Sequence, residues 1–412
     1  MVNLFLFLSI IFLVTFVIGK LLEKIRIPWI FAALLFGIIL SIFNPFSLIT
    51  SSSTFEFLGN LGMYFLLFLI GFEINLKEVI KKNRWIIKST LLIILFETLV
   101  GTILIYFIFP LFVPLDQLLL STSLHPLFLS MIIALSFATV GEAFLFPILD
   151  EFNLFRKKLG QAIVGIGVLD NIIELLVIII VVLFLGITAG TQPINIWIAF
   201  LSLTMMFLLT YGLRTIEKRD KIKFPEVELL FLFAIFIFFL FVGIGKLTEA
   251  AALGAIIAGI AIKNFIPPQR LKLMESELKS VGYGIFGPIF FVWVGVATQP
   301  EQFNLWLVIL LVLFANSAKI FASYLTGRKI LGTKESICLG IGLSIRFSTS
   351  IVIVTILFKS AIISGLLFST IIWSSIIFKF IIPFLLSHLL VRWKIANKSK
   401  RSSFSSQEEN IL

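Results

Sequence analysis

Cysteine, histidine and charge are all scarce in this chain of 412 residues, and each scarcity removes a class of chemistry. A single cysteine, Cys338, excludes an internal disulfide and a thiolate metal cluster. His125 and His388 are the only histidines and both fall near the ends of apolar runs. No nucleophile with a histidine partner therefore lies within those runs, and neither an intramembrane enzyme nor a haem site is expected. Charged residues make up 13% of the chain against 59% hydrophobic, and the mean hydropathy is +1.13, which excludes a soluble globular domain. The first apolar run has no basic leader and no small-residue cleavage signal, so it is expected to stay as a helix. Membrane transport or membrane signalling is the class that remains.

What the chain has in abundance is apolar length. Stretches run roughly over 2–19, 28–43, 54–73, 85–109, 126–148, 158–186, 194–213, 225–244, 247–264, 282–298, 304–325, 335–358 and 361–392. Most have the ~20 residues needed to cross a hydrocarbon core, which predicts an all-α membrane protein of about thirteen transmembrane helices. Lysine and arginine fall in every second connection: Lys20 to Arg26, Lys77 to Arg84, Arg156 to Lys158, Arg214 to Lys223, Lys263 to Lys279, Arg328 to Lys334 and the tail from Arg392. The alternate connections hold only Lys246 and Lys359. The positive-inside rule then puts the N-terminus outside and the C-terminus in the cytoplasm. The net charge of +11 is accounted for by basic loops facing an anionic leaflet, and no nucleic-acid partner is needed.

An internal repeat is visible. Leu58-Gly59-Asn60-Leu61-Gly62 followed by Phe65 to Gly71 matches Gly282-Tyr283-Gly284-Ile285-Phe286-Gly287 followed by Ile289 to Gly295. Seven spans separate the two copies, and an odd offset makes the second enter from the opposite side, the pattern of inverted-topology transporters. Residues 1–392 form the transmembrane domain on this reading, with repeat one at about 1–186, a linking span at 194–213 and repeat two at about 225–392. The serine-rich tail, 393–412, is expected to be disordered.

An ionisable group at the bilayer centre is costly and persists where it is used or paired. The acidic candidates are Glu97, Glu142, Asp170 and Glu174; the basic ones are Lys319, Arg346 and Lys379. At 1.5 Å per residue, Asp170 lies about 18 Å and Lys319 about 22 Å inside their spans. Asp170 and Glu174 are four apart and share a helix face, so two carboxylates face one cavity. Such acids repel when both are ionised, which lets a proton and a cation compete for the same oxygens. Glu97 and Lys379 are assigned to architecture, and Arg346 to a helix end or to a pair with Glu97 or Glu142.

At these residues the chain resembles the bacterial sodium/proton exchangers and the wider cation:proton antiporter group. Gly71-Phe72-Glu73 after its apolar run resembles the third-span signature, and Ala251 to Ala255 with Ala258-Gly259 the ninth. Gly160 to Gly165 with Val168-Leu169-Asp170-Asn171 is similar to the ion-binding helix. The resemblance implies two discontinuous helices crossing at mid-membrane, at Ala138-Thr139-Val140-Gly141 and at Ser344 to Ser348. It implies Lys319 as a counter-ion to a carboxylate. The chain departs at Asn171, where most members carry the second aspartate of a pair. Three accounts stay open: Glu174 replaces the missing acid, Asp170 serves with Glu142, or the protein moves an ion or solute without proton coupling.

The expected function is exchange of a monovalent cation, Na+ or K+, for protons by alternating access. The ion and proton ligands are Asp170, Asn171, Glu174, Thr139 and Glu142, the counter-ions are Lys319 and Arg346, and the alkali cation sits at Asp170 and Glu174. The alternative is an uncoupled, channel-like or ligand-sensing protein on the same scaffold. No cofactor is expected. A core built around spans 5, 6, 11 and 12, a dimerisation domain from the rest, a homodimer, a separate regulatory subunit and a bacterial inner membrane complete the expectation.

Overall fold

The computed structural model describes residues 3–24, 27–73, 84–120, 125–136, 149, 152, 154, 157–167, 169–170, 173, 204–206, 208–212, 227–247, 251–298, 301, 304–344 and 348–395. The described residues are helical and contain no strand; Leu119 and Ile363 form one isolated antiparallel bridge. We number the helices α1 (Leu4–Lys24), α2 (Phe31–Ile42), α3 (Ser47–Thr50), α4 (Ser53–Glu73), α5 (Arg84–Ile103), α6 (Pro126–Leu135), α7 (Val227–Lys246), α8 (Ala251–Phe265), α9 (Pro268–Val281), α10 (Gly287–Val296), α11 (Leu305–Gly327), α12 (Thr333–Leu343), α13 (Ser348–Lys359) and α14 (Gly365–Arg392). Residues 158–167 and 169–170 are also helical.

Local chemistry sets several of these boundaries. His125 accepts a hydrogen bond from the Leu127 amide and is followed by Pro126 at the first helical position, so one of the two histidines is an N-cap for α6. Asn304 accepts from the amides of Trp306 and Leu307 at the start of α11, and Ser364 accepts from Leu367 at the start of α14. The α5 helix runs on through a π turn at Leu104–Ile108 into a 3-10 turn, Phe109–Leu111, that contains Pro110.

Among the described residues, seven helices are long and apolar enough to cross a membrane, and the chain is an integral membrane protein. The thirteen expected spans are distributed unevenly over these elements. Spans 2 and 9 are the short helices α2 and α8, of 12 and 15 residues. Span 12 is two helices, α12 and α13, with Ser344 as the C-cap of the first. The linking span at 194–213 lies largely outside the described residues.

Two groups of helices emerge from the packing. In one, α1 packs on α2, α2 on α10, α10 on α4, α4 on α8 and α8 on α7. In the other, α5 packs on α6 and α11, α11 on α12 and α14, and α14 on α13. The first group is sewn by glycines. A Cβ on Gly37 would lie 2.3 Å from the Val292 carbonyl oxygen, and one on Gly295 would lie 2.7 Å from the Gly37 carbonyl carbon. Similarly, a Cβ on Gly71 would meet the Ile256 oxygen at 2.2 Å, and one on Gly259 the Phe68 oxygen at 2.1 Å. Helix backbones therefore touch at both crossings, as small residues permit in membrane interfaces. The packing corrects one expectation: α5 and α14, spans 4 and 13, belong with α11 and α12 and not with the remaining helices.

Loop contacts pair segments to which the charge pattern gives the same side. On the basic side, Lys157 Nζ donates to the Ile395 carbonyl at 2.8 Å, Trp85 Nε1 to Thr326 at 2.9 Å and Lys263 Nζ to Glu73 at 2.9 Å. On the other side, Leu120 donates to Ile362, Ser364 to Leu118, and Lys359 reaches Glu56. The first residues of the tail, 393–395, are described and ordered by the Lys157 contact; residues 396–412 lie outside the described part.

Candidate functional site

The second helix group carries a buried charge pair. Lys319 Nζ on α11 lies 3.0 Å from Glu97 Oε2 on α5, and both side chains are 1% exposed. Counted along their helices, Glu97 is about 20 Å from the start of α5 and Lys319 about 21 Å from the start of α11, so each is far from water. The pair reached such depth because each ion neutralises the other. Glu97 is a partner that the sequence reading did not give to Lys319, having assigned it to architecture or to Arg346.

Lys319 also terminates a helix. Its ammonium donates to the Leu343 carbonyl, 3.1 Å away, at the C-terminus of α12. That end carries the partial negative charge of the helix and carbonyls with no partner in the helix, and a cation satisfies both. Gly340 makes the contact possible: a Cβ there would lie 2.5 Å from the Ile320 Cα, so α12 rests directly on the α11 backbone beside Lys319. The Ser344 hydroxyl turns back to the Gly340 carbonyl at 2.8 Å.

A second helix end meets the start of α13. Ser136, the C-cap of α6, presents its carbonyl to the Ser350 hydroxyl at 2.9 Å in a fully buried contact. Ser350 lies in the first turn of α13, so the negative end of one helix faces the positive end of another. Neither serine was singled out in the sequence. The signal available was the polar run from Ser344 to Ser350 inside an otherwise apolar span.

Asp170 is buried, 3% exposed, in helical backbone. Its helix lies against α5, where a Cβ on Gly165 would meet Ile86 at 2.9 Å. Asp170, Lys319 and Glu97 are thus all buried on neighbouring elements of the second group. The remaining expected ligands, Asn171, Glu174, Thr139, Glu142 and Arg346, lie outside the described residues, and the Lys379 side chain does as well. Among the described residues no cluster of three His, Cys, Asp or Glu side chains forms. Neutral oxygens are nevertheless plentiful: the hydroxyls of Ser89, Thr98, Ser130 and Ser323 are buried without a hydrogen-bond partner among the described residues.

The family model described as sodium/hydrogen exchanger, transmembrane, matches residues 9–392. A probable Na+/H+ antiporter 3 of Methanocaldococcus jannaschii is 26% identical, covering 80% of this chain and 80% of its own length. A probable Na+/H+ antiporter, GerT, of Bacillus cereus is 26% identical over 84% of this chain and 88% of its length. A K+/H+ antiporter subunit, KhtU, of Bacillus subtilis is 24% identical over 74% of this chain and 72% of its own length.

Proposed function

This chain belongs to the sodium/hydrogen exchanger family, and from that premise we propose that it exchanges a monovalent cation for protons across the membrane by alternating access. Relatives named as Na+/H+ and K+/H+ antiporters support cation:proton exchange without choosing the cation. The observation that carries the reading is Lys319, a fully buried lysine bound at once to a carboxylate and to a helix C-terminus. A cation that arrives at this site competes with that ammonium for negative charge, and such competition couples ion entry to movement of the lysine.

In the proposed cycle Asp170 and Glu174 take a cation or a proton by turns. Asn171 and Thr139 supply neutral oxygens, with Glu142 as a further ligand. Lys319 and Arg346 serve as counter-ions to the helix ends and carboxylates. Oxygen donors suit a hard alkali ion. Glu97 holds Lys319 in place while the site is empty and receives its full charge when the site is filled.

Two inverted repeats would supply the two states. The crossings of α2 with α10 and of α4 with α8 support them, because the seven-span offset that pairs α4 with α10 also pairs α2 with α8. Each crossing is then the image of the other. The helix group of α5, α6, α11, α12, α13 and α14 would carry the ion, and the group of α1, α2, α4, α7, α8 and α10 would hold it in the membrane and form a homodimer. The basic end is assigned to the cytoplasm, with the N-terminus outside, in a bacterial inner membrane. A separate regulatory subunit fits a relative that is itself named a subunit.

Asn171 favours a second reading, a conduit or sensor without proton coupling. The experiment that separates them is proton movement in proteoliposomes on adding sodium, potassium or lithium, for the wild type and for Asp170→Asn. Cation-triggered proton efflux that Asp170→Asn abolishes supports exchange. Cation flux with no accompanying proton movement, in folded wild-type protein, overturns it.

A further inference from the structure

We propose that a cavity between α1, the turn at Trp29 and the α9–α10 junction binds a phospholipid with a primary-amine headgroup, chemically a phosphatidylethanolamine. The cavity has a volume of about 470 Å³, within the range of small-molecule sites. Its lining divides by chemistry along α1. Phe12 and Phe16 line it with Trp29 and Pro288 on the facing elements, while Lys20 and Glu23 line it at the basic end of the helix. Phe16 is 66% exposed, as are Phe5 and Leu13 along the same helix to similar degrees, so this side of α1 faces lipid. Trp29 stands where an interfacial tryptophan belongs, beside the first basic loop.

Three polar groups in the cavity match the parts of one lipid. Lys20 carries its ammonium 5.9 Å from the centre of the Phe16 ring, and among the described residues it forms no ion pair with Glu23, the other charge that lines the cavity. A cation and an anion three residues apart at one mouth complement a headgroup that is itself a phosphate and an ammonium. Thr15, 1% exposed, lines the same cavity with a hydroxyl that has no hydrogen-bond partner among the described residues. It lies five residues deeper than Lys20, about 7.5 Å along the helix. A lipid phosphate held by Lys20 places its ester carbonyl on this deeper side, where it would accept the Thr15 proton. The acyl chain then lies on Phe12 and Pro288.

The third wall is a π turn, Gly282–Phe286, between α9 and α10, and such turns recur at binding sites. Gly284 in this turn lines the cavity, and a Cβ added there would meet nothing within 4 Å. A larger side chain at 284 therefore fills the cavity without striking the protein. Glu23 selects between headgroups: it accepts hydrogen bonds from a primary ammonium, finds no N–H on a choline and no cation on a glycerol.

The test uses purified, delipidated full-length protein in detergent, with phosphatidylethanolamine, phosphatidylcholine and phosphatidylglycerol of identical acyl chains. The readouts are the thermal unfolding midpoint and the number of lipids retained in native mass spectrometry. Phosphatidylethanolamine is expected to raise the midpoint above the other two. Glu23→Gln, at an exposed position, is expected to erase its advantage over phosphatidylcholine, and Gly284→Leu to abolish the retained lipid. Equal response to all three lipids in the wild type overturns the proposal. So does an undiminished phosphatidylethanolamine response in folded Gly284→Leu or Glu23→Gln.

Discussion

Lys319 holds two partners at once, the Glu97 carboxylate at 3.0 Å and the Leu343 carbonyl at 3.1 Å, and so ties α11 to both α5 and α12. The first contact balances charge and the second ends a helix inside the protein. Loss of either partner removes one of these contacts from a buried ammonium.

Glu97→Gln should therefore cost about 3–5 kcal/mol of stability, the usual penalty for breaking a buried pair from one side. Lys319→Gln should cost a similar amount. The double variant should lose clearly less than the sum, because neither charge is then left alone. Unfolding midpoints in detergent for the three proteins check this; strictly additive losses would mean that the two residues are not coupled.

Ser350→Ala removes the hydroxyl that satisfies the buried Ser136 carbonyl. A loss of about 1–3 kcal/mol is expected, because an unpaired polar group stays behind. Ser350→Thr keeps the donor and should retain most of the stability. Cation-triggered proton flux should fall with alanine and survive with threonine, since the contact also sets the distance between two helix ends.

Gly71→Ala should be damaging and Gly243→Ala harmless. At 71 the new methyl would sit 2.2 Å from the Ile256 oxygen, and backbone cannot rotate aside as a side chain can. Overpacking of this kind costs about 1–3 kcal/mol. At 243, also within a helix, no atom lies within 4 Å, and the loss of glycine's excess freedom should stabilise α7 by about 0.5–1 kcal/mol. Thermal midpoints that moved equally for both would refute the role of the crossing.

Lys359 links the two helix groups on the side away from the basic loops. From the end of α13 it donates to Asn60, lies 3.1 Å from Glu56 on α4, and sits 4.2 Å from the Trp293 ring centre on α10. Glu56 is 58% exposed, so the ion pair itself contributes little to stability. Its effect is expected in kinetics. Lys359→Met should alter the maximal exchange rate of reconstituted protein and leave the half-saturating cation concentration near the wild-type value. A change confined to cation affinity would place Lys359 in the ion path.

How much of this was legible beforehand differs from residue to residue. The membrane class followed from local quantities, because hydrophobic length is a property of contiguous sequence. The α12 helix ends at Leu343 with Ser344 as its C-cap, at the start of the segment where an interruption was expected; residues 345–347 of that segment lie outside the described residues. The contact between Lys319 and Glu97 was not legible. Glu97 and Lys319 stand 222 positions apart, and one sequence offers no way to choose among several buried acids for one lysine.

Composition and periodicity by themselves determined that this chain is helical, that it crosses a membrane many times, and which loops share a side. Each of those properties depends on the transfer of a short segment between water and lipid. The tertiary structure alone decided that α5 and α14 join α11, that glycine crossings bring backbones into contact, and that Lys319 binds Glu97 and the end of α12. Those depend on which faces meet, and side-chain volume and buried charge settle that only once distant helices lie side by side.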